Sequence, residues 1–297
     1  MKHNLQATII ILFIFVLSQL VGLMTLTLYF NYNEVGEIEY KELPLQLERP
    51  EVEESKAWIY IFIAIIIGTA LLLFLIKIQS RIITKTWFFL AIFIGLIIAL
   101  SAYIGQNGAI IIAFIITYWR MFYPNTIIHN LSEILIYGGI AVLFHEMLTV
   151  FWVAILLFLI AIYDMIAVWK LKHMITMAKF QTNNNLFAGA FLPYKKNILL
   201  KPSKKTKNLN TKSVKKTKKQ DTKTAVLGGG DMAFPLFFTG AILKQYGLIY
   251  AFIPIIFSTL ALTYLFIRAE KDKFYPAMPY LTTGCLIAWA VIIAIVH

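Results

Sequence analysis

The sequence is poor in the residues that stabilise small secreted proteins and build zinc sites. It contains one cysteine, Cys285, which allows neither an internal disulfide nor a cysteine zinc cluster. Only 14% of the 297 residues are charged, whereas 60% are hydrophobic. This balance excludes a soluble globular enzyme and a disordered chain, and it indicates a polytopic membrane protein.

Nine apolar runs approach the length that is needed to cross about 30 Å of hydrocarbon. They cover residues 7–30, 57–77, 86–104, 106–119, 131–147, 149–169, 225–243, 248–267 and 274–296. The first run is too long for the apolar core of a signal peptide, so we interpret it as a spanning helix. Between the fourth and fifth runs lie a proline and several polar residues, which leave the helix boundaries in 105–147 undefined: Arg120, Pro124, Asn125, His129 and Asn130. The predicted fold is an all-α membrane protein with nine transmembrane helices.

The distribution of basic residues predicts the orientation of these helices. Fifteen lysines lie between Lys170 and Lys223, where Asp221 is the only acid. Cytoplasmic loops collect Lys and Arg, so this segment is predicted to be cytoplasmic, together with Arg120. The stretch 31–56 carries eight glutamates and is predicted to lie outside. The N-terminus is then cytoplasmic and the C-terminus outside.

The lysine-rich segment also divides the chain. Residues 1–180 form a predicted six-helix part, 181–223 a flexible cytoplasmic loop, and 224–297 a three-helix part. The loop is expected to contact anionic lipid. Nucleic acid is not expected as a partner, because aromatic residues do not alternate with the lysines.

Two aspartates lie inside predicted membrane helices, where a carboxylate costs about 2.5 to 3.5 kcal/mol. Asp164 lies six residues before Lys170, and Asp231 lies eight residues after Lys223. At 1.5 Å per residue, both lie about 9 to 12 Å from the cytoplasmic boundary, on neighbouring antiparallel helices. Two carboxyl groups that meet in an apolar site are expected to share a proton. Such a pair can activate water and protonate a peptide carbonyl, with no metal or other cofactor expected.

Unusual backbone segments are predicted at the same depth. Three consecutive glycines, Gly228, Gly229 and Gly230, precede Asp231 and favour local unwinding or the close approach of a substrate backbone. Upstream of them, the stretch 224–227, which ends at Leu227, is compatible with a strand edge for an extended peptide. Pro276, Ala277, Met278 and Pro279 open the last predicted helix, where the two prolines remove backbone donors and free carbonyl groups.

Together these motifs resemble those of presenilin and signal peptide peptidase, the intramembrane aspartyl proteases. Tyr163-Asp164 resembles the family's YD motif, Gly228 to Asp231 its GxGD motif, and Pro276 to Pro279 its PAL motif, with Met278 in place of the usual leucine. The resemblance implies a nine-helix fold in which Asp164 and Asp231 form the catalytic pair. It also implies that the proline motif shapes the site. We predict that Tyr163, Leu227, the three glycines and the proline motif bind substrate.

The resemblance further implies the substrates and the setting. Because the long loop is predicted to be inside, the chain resembles presenilin more than signal peptide peptidase. The expected substrates are transmembrane segments of single-span proteins that have their N-terminus outside. The chain is most similar to a microbial homologue that acts in the plasma membrane without an accessory subunit.

Two alternative functions remain open from the sequence. A proton-coupled transporter or channel could use the same two aspartates as a relay. A protease resembling prepilin peptidase also has a GxGD aspartate, but it cuts outside the membrane span, and the proline motif argues against it.

Overall fold

The computed structural model describes residues 5–32, 38–49, 52–78, 80–171, 187–195, 222–270 and 275–296, and most of them are helical. The helices are α1 (Leu5–Leu28), α2 (Glu54–Ile78), α3 (Arg81–Phe122), α4 (Thr126–His145), α5 (Val150–Met165), α6 (Gly229–Tyr246), α7 (Leu248–Arg268) and α8 (Met278–Val296). Antiparallel strands β1 (Phe30–Tyr32) and β2 (Ile38–Tyr40) form one sheet, and β3 (Gly189–Lys195) and β4 (Thr222–Gly228) form another.

Seven of the described helices are long and apolar enough to cross a membrane, namely all except α6. The polar and glycine residues at the two ends of α6, among them Asp231 and Lys244, lower its hydropathy. The third and fourth predicted spans are the two halves of α3, which is interrupted at Gly105.

Helix α3 folds back on itself at Gly105. The backbone there has φ 74° and ψ 165°, a conformation that glycine adopts readily. The ring centroids of Phe89 and Phe114 are 6.0 Å apart, whereas a straight helix would separate the two residues by about 37 Å. The two halves of α3 are therefore an antiparallel pair.

Helices α1, α4 and α6 run in the same direction at the centre of the bundle. Gln19 of α1 donates a 2.8 Å hydrogen bond to the carbonyl of Met232, near the start of α6. Further along both helices, Gly22 lies beneath Leu236, with no room for a side chain. Helices α5 and α8 pack beside this group, whereas α2 buries only Ala57, Ile61 and Leu75.

Glycines allow α3 and α4 to approach closely. A Cβ atom at Gly139 would lie 2.2 Å from the carbonyl oxygen of Gly95, a backbone atom that cannot move aside alone. We expect Gly139→Ala to lower stability by about 1 to 3 kcal/mol through overpacking. Thermal unfolding in detergent measures the effect. Gly68→Ala is the matched control, because nothing lies within 4 Å of a Cβ atom there, and it should leave the unfolding temperature unchanged or slightly raised.

The stretch 181–223 is predicted to be a flexible loop, but two described parts of it are extended strands. Residues 189–195 form β3, and β4 begins at Thr222. Side chains of α4 hold β3 by hydrogen bonds, such as the pair between Asn130 and the backbone of Phe191. Most of the lysine-rich segment lies outside the described residues, and so does the expected contact with anionic lipid.

Candidate active site

Asp164 is in the last turn of α5, and its side chain is buried, with 6% exposed. The helix widens into a π-helical segment directly afterwards, over Ile166–Leu171. Such wide turns occur frequently at functional sites. Tyr163, which precedes Asp164, is half-buried.

The start of α8 faces the carboxyl group of Asp164. The backbone N–H of Met278 donates a 3.2 Å hydrogen bond to Oδ2 of Asp164, and the N–H of Ala277 is a second donor. These N–H groups lie at a helix N-terminus, where they have no partner within the helix. The proline motif thus presents two backbone donors to a carboxylate on a neighbouring helix. The donors lie at the positive end of the dipole of α8, which favours negative charge.

Asp231 is in the first turn of α6 and is half-buried. Its carboxyl group folds back over Gly228, where it accepts a hydrogen bond from the backbone. A Cβ atom at Gly228 would lie 3.1 Å from Oδ2 of Asp231, and one at Gly229 would lie 2.6 Å from the hydroxyl of Tyr137. Two of the three glycines therefore provide room for neighbouring side chains, whereas Gly230 is exposed.

The two aspartates are close enough to interact electrostatically. Asp164 lies at the C-terminal end of α5, and Asp231 and Met278 lie at the N-terminal ends of α6 and α8. These three ends form one layer of the bundle. Both carboxyl groups, the glycines and the proline motif are thus in one place, although they come from distant parts of the sequence.

Strand β4 enters this layer and leads directly into α6. In the register of the sheet, Gly189 pairs with Gly228, Phe191 with Val226, and Pro193 with Thr224. Gly189 and Phe191 direct their backbone groups away from β4, towards α4. Because opposed residues of an antiparallel pair alternate in this respect, Thr224 and Val226 direct theirs to the outer edge of β4.

That register changes the interpretation of Leu227. Its side chain is buried in the core, and its backbone groups face Ala190 of β3. The outer edge of β4 is instead formed by Thr224 and Val226, and no described strand covers it. The sequence could not distinguish these positions, because it does not specify which residue of β3 pairs with which residue of β4.

A buried ion pair beside the site was not predicted from the sequence. Arg120 was expected in a cytoplasmic loop, but it is 5% exposed and paired with Glu133, which is 2% exposed. Tyr137 donates a hydrogen bond to the same glutamate and lies against Gly229. The spacing of Glu133 and Tyr137 by one helical turn is the only signal in the sequence that could have indicated the cluster.

Within the ranges that the structure describes, no three His, Cys, Asp or Glu side chains are grouped closely enough to hold a metal ion.

Comparison with known proteins gives a family match and two similar solved structures. The family described as signal-peptide peptidase, presenilin aspartyl protease matches residues 10–297. A presenilin family intramembrane aspartate protease solved in space group C222 is similar over 97% of this chain and 99% of its own, with 18% identity and a TM-score of 0.63. The same description in space group P2 gives 18% identity and a TM-score of 0.61, over 96% of each chain. No relative among the curated proteins matched.

Proposed function

Because this chain belongs to the signal-peptide peptidase and presenilin family of aspartyl proteases, we propose that Asp164 and Asp231 are its catalytic pair. The family makes the protein a hydrolase of the membrane, and the fold is that of presenilin-type proteases. The observation that carries the proposal is that these two carboxyl groups lie in one layer of the bundle, with the backbone of Met278 donating to one and that of Gly228 to the other.

Two carboxyl groups that share one proton can hydrolyse a peptide bond without a covalent intermediate. The ionised carboxylate takes a proton from a water molecule, and the water oxygen attacks the carbonyl carbon of the substrate. The protonated carboxyl group gives its proton to the carbonyl oxygen, which forms a neutral tetrahedral diol. The C–N bond then breaks as the carboxyl group that is now protonated gives its proton to the nitrogen. One hydroxyl of the diol returns its proton to the other carboxylate.

The substrate must be extended at the cut, because a helix hides its peptide bonds. The outer edge of β4 supports this step, since Thr224 and Val226 offer backbone groups to a third strand. We assign Tyr163, Gly230 and Pro279 to the walls of the same site. The backbone segments around the site are formed by Leu227, Gly228, Gly229, Pro276, Ala277 and Met278. A strand that is added to β4 runs towards Gly228 and hence towards Asp231.

Nine crossings give the finer topology that we propose. Helix α3 contributes two crossings as a hairpin, and α6 adds one to the remaining six helices. The basic loops then place the N-terminus and residues 181–223 in the cytoplasm and the C-terminus outside. This orientation suits single-span substrates whose N-terminus is outside. We place the cleavage in a microbial plasma membrane and propose that it needs no accessory subunit. The three-part division at 180 and 223 belongs to the same proposal.

Mass spectrometry of the products from a single-span reporter tests the function. We expect two fragments whose new ends lie inside the membrane span, and we expect a transition-state analogue of aspartic proteases to prevent their formation. New ends only outside the span would instead indicate a protease resembling prepilin peptidase. Proton flux in liposomes without any fragment would indicate a transporter and contradict the proposal.

A further inference from the structure

Polar side chains in the first turns of α4 hold the backbone of β3. Asn130 donates to the carbonyl of Phe191 and accepts from its N–H, with both distances 2.9 Å. His129 contacts the carbonyl of Gly189 at 2.8 Å, and Glu133 accepts from the N–H of Gly189 at 2.9 Å. The side of β3 that faces away from β4 is therefore occupied by helix side chains in place of another strand.

Arg120 completes this arrangement from the end of α3. It is ion-paired with Glu133, and it donates to Ser132 at 2.7 Å and to the carbonyl of Phe187 at 3.2 Å. A buried ion pair is costly to desolvate and is a poor source of net stability. Its fixed geometry has a different consequence, because it holds Glu133 in the position that accepts the hydrogen bond from the N–H of Gly189.

The hydrogen bonds continue from β3 to the catalytic layer. With the α4-facing side of β3 occupied, Ala190 and Leu192 face Leu227 and Ala225 of β4. Gly229 lies two residues before Asp231, and its N–H donates a 3.1 Å hydrogen bond to the carbonyl of Ala188. A shift of β3 would thus move both the outer edge of β4 and the turn that carries Asp231.

We propose that His129, Asn130 and Glu133, with Arg120, are positioning residues that fix the register of the β3–β4 sheet and thereby the site of cleavage. This inference rests on the proposed function, since it assigns the sheet the task of aligning the substrate. None of the four residues needs to touch the substrate. They act through the backbone of β3.

Hydrogen–deuterium exchange tests the mechanical part without requiring any activity. Asn130→Ala removes both hydrogen bonds to Phe191, and His129→Phe removes the one to Gly189 while keeping an aromatic ring beside Phe191. We expect faster exchange in peptides covering 187–195 and 222–228, with the larger increase for Asn130→Ala. Thr263→Ala is the control, because the Thr263 hydroxyl donates to the carbonyl of Thr259 within α7, a helix that packs against α1, α6 and α8.

Kinetics and product ends test the consequence for cleavage. We expect Asn130→Ala to raise KM about tenfold, the equivalent of one or two hydrogen bonds, with kcat within about twofold of wild type. New fragments should appear whose ends are shifted by two residues, because a strand that slips by two keeps the same side chains on each face. His129→Phe should change KM and product ends in the same direction and less.

The two proposals fail in different ways. Wild-type exchange and wild-type KM in both Asn130→Ala and His129→Phe would overturn the positioning role, and so would equal changes in Thr263→Ala. If the strands loosen in the variants but the wild-type protein cleaves no reporter, the mechanical role is retained and the protease function is contradicted. Loosened strands with unchanged KM and product ends would show that the sheet does not align the substrate.

Discussion

Asp231→Asn is expected to abolish cleavage of a single-span reporter, and Asp164→Asn is expected to do the same. General acid–base catalysis contributes about 10² to 10⁴ in rate, and in the proposed mechanism both residues share one proton. Asparagine keeps the size of the side chain and loses the ability to take a proton from water. The rate of product formation in detergent or liposomes is the measurement.

The double variant and a control make this result specific. Residues that act as a unit lose little more together than either does alone, so Asp164→Asn with Asp231→Asn should resemble each single variant. Thr263→Ala is the control, since among the described residues the Thr263 hydroxyl bonds to the preceding turn of α7, at the carbonyl of Thr259. Cleavage near the wild-type rate by either folded single variant would contradict the catalytic assignment.

The sequence predicted the place of the two aspartates from depth alone. Asp164 and Asp231 are each a short distance from a lysine-rich boundary, and helical rise converts that distance into a common level. Spans that alternate in direction then bring the levels together. The family assignment and the hydrolase class that followed from these motifs are confirmed by the family match.

The side chains around β3 could not be predicted in this way. Asn130 and Phe191 are separated by 61 residues, and no local pattern indicates that an amide side chain will replace a neighbouring strand. The sequence assigned Arg120 to a cytoplasmic loop because such loops collect lysine and arginine. Its partner Glu133 lies on the next helix, and the two meet because α4 packs against α3.

The backbone conformation was better predicted than the role of each residue. The sequence predicted an extended segment before the three glycines, and β4 lies there. It did not predict which residues of that segment face outwards, since this depends on the register against β3. For that reason Leu227 was selected from the sequence, whereas Thr224 and Val226 form the outer edge.

Met278→Pro is expected to lower kcat/KM about 10- to 100-fold, because it removes the N–H that donates to Asp164. A hydrogen bond to a charged group contributes about 1.5 to 3 kcal/mol, which corresponds to a rate loss of this size. The helix itself should persist. Met278 is the first residue of α8, where proline has a favourable conformation and no helical hydrogen bond is lost.

Two further variants separate the loss of the donor from the loss of the side chain. Met278→Leu keeps the N–H and nearly the same volume, so its cleavage rate should be close to that of wild type. Met278→Ala keeps the N–H and empties part of a buried position, so it should lower the unfolding temperature more than the rate. Equal rates for the proline and leucine variants would mean that the amide of Ala277 alone is sufficient to orient Asp164. A strong loss in the leucine variant would mean instead that the shape of the motif, and not its backbone donors, determines activity.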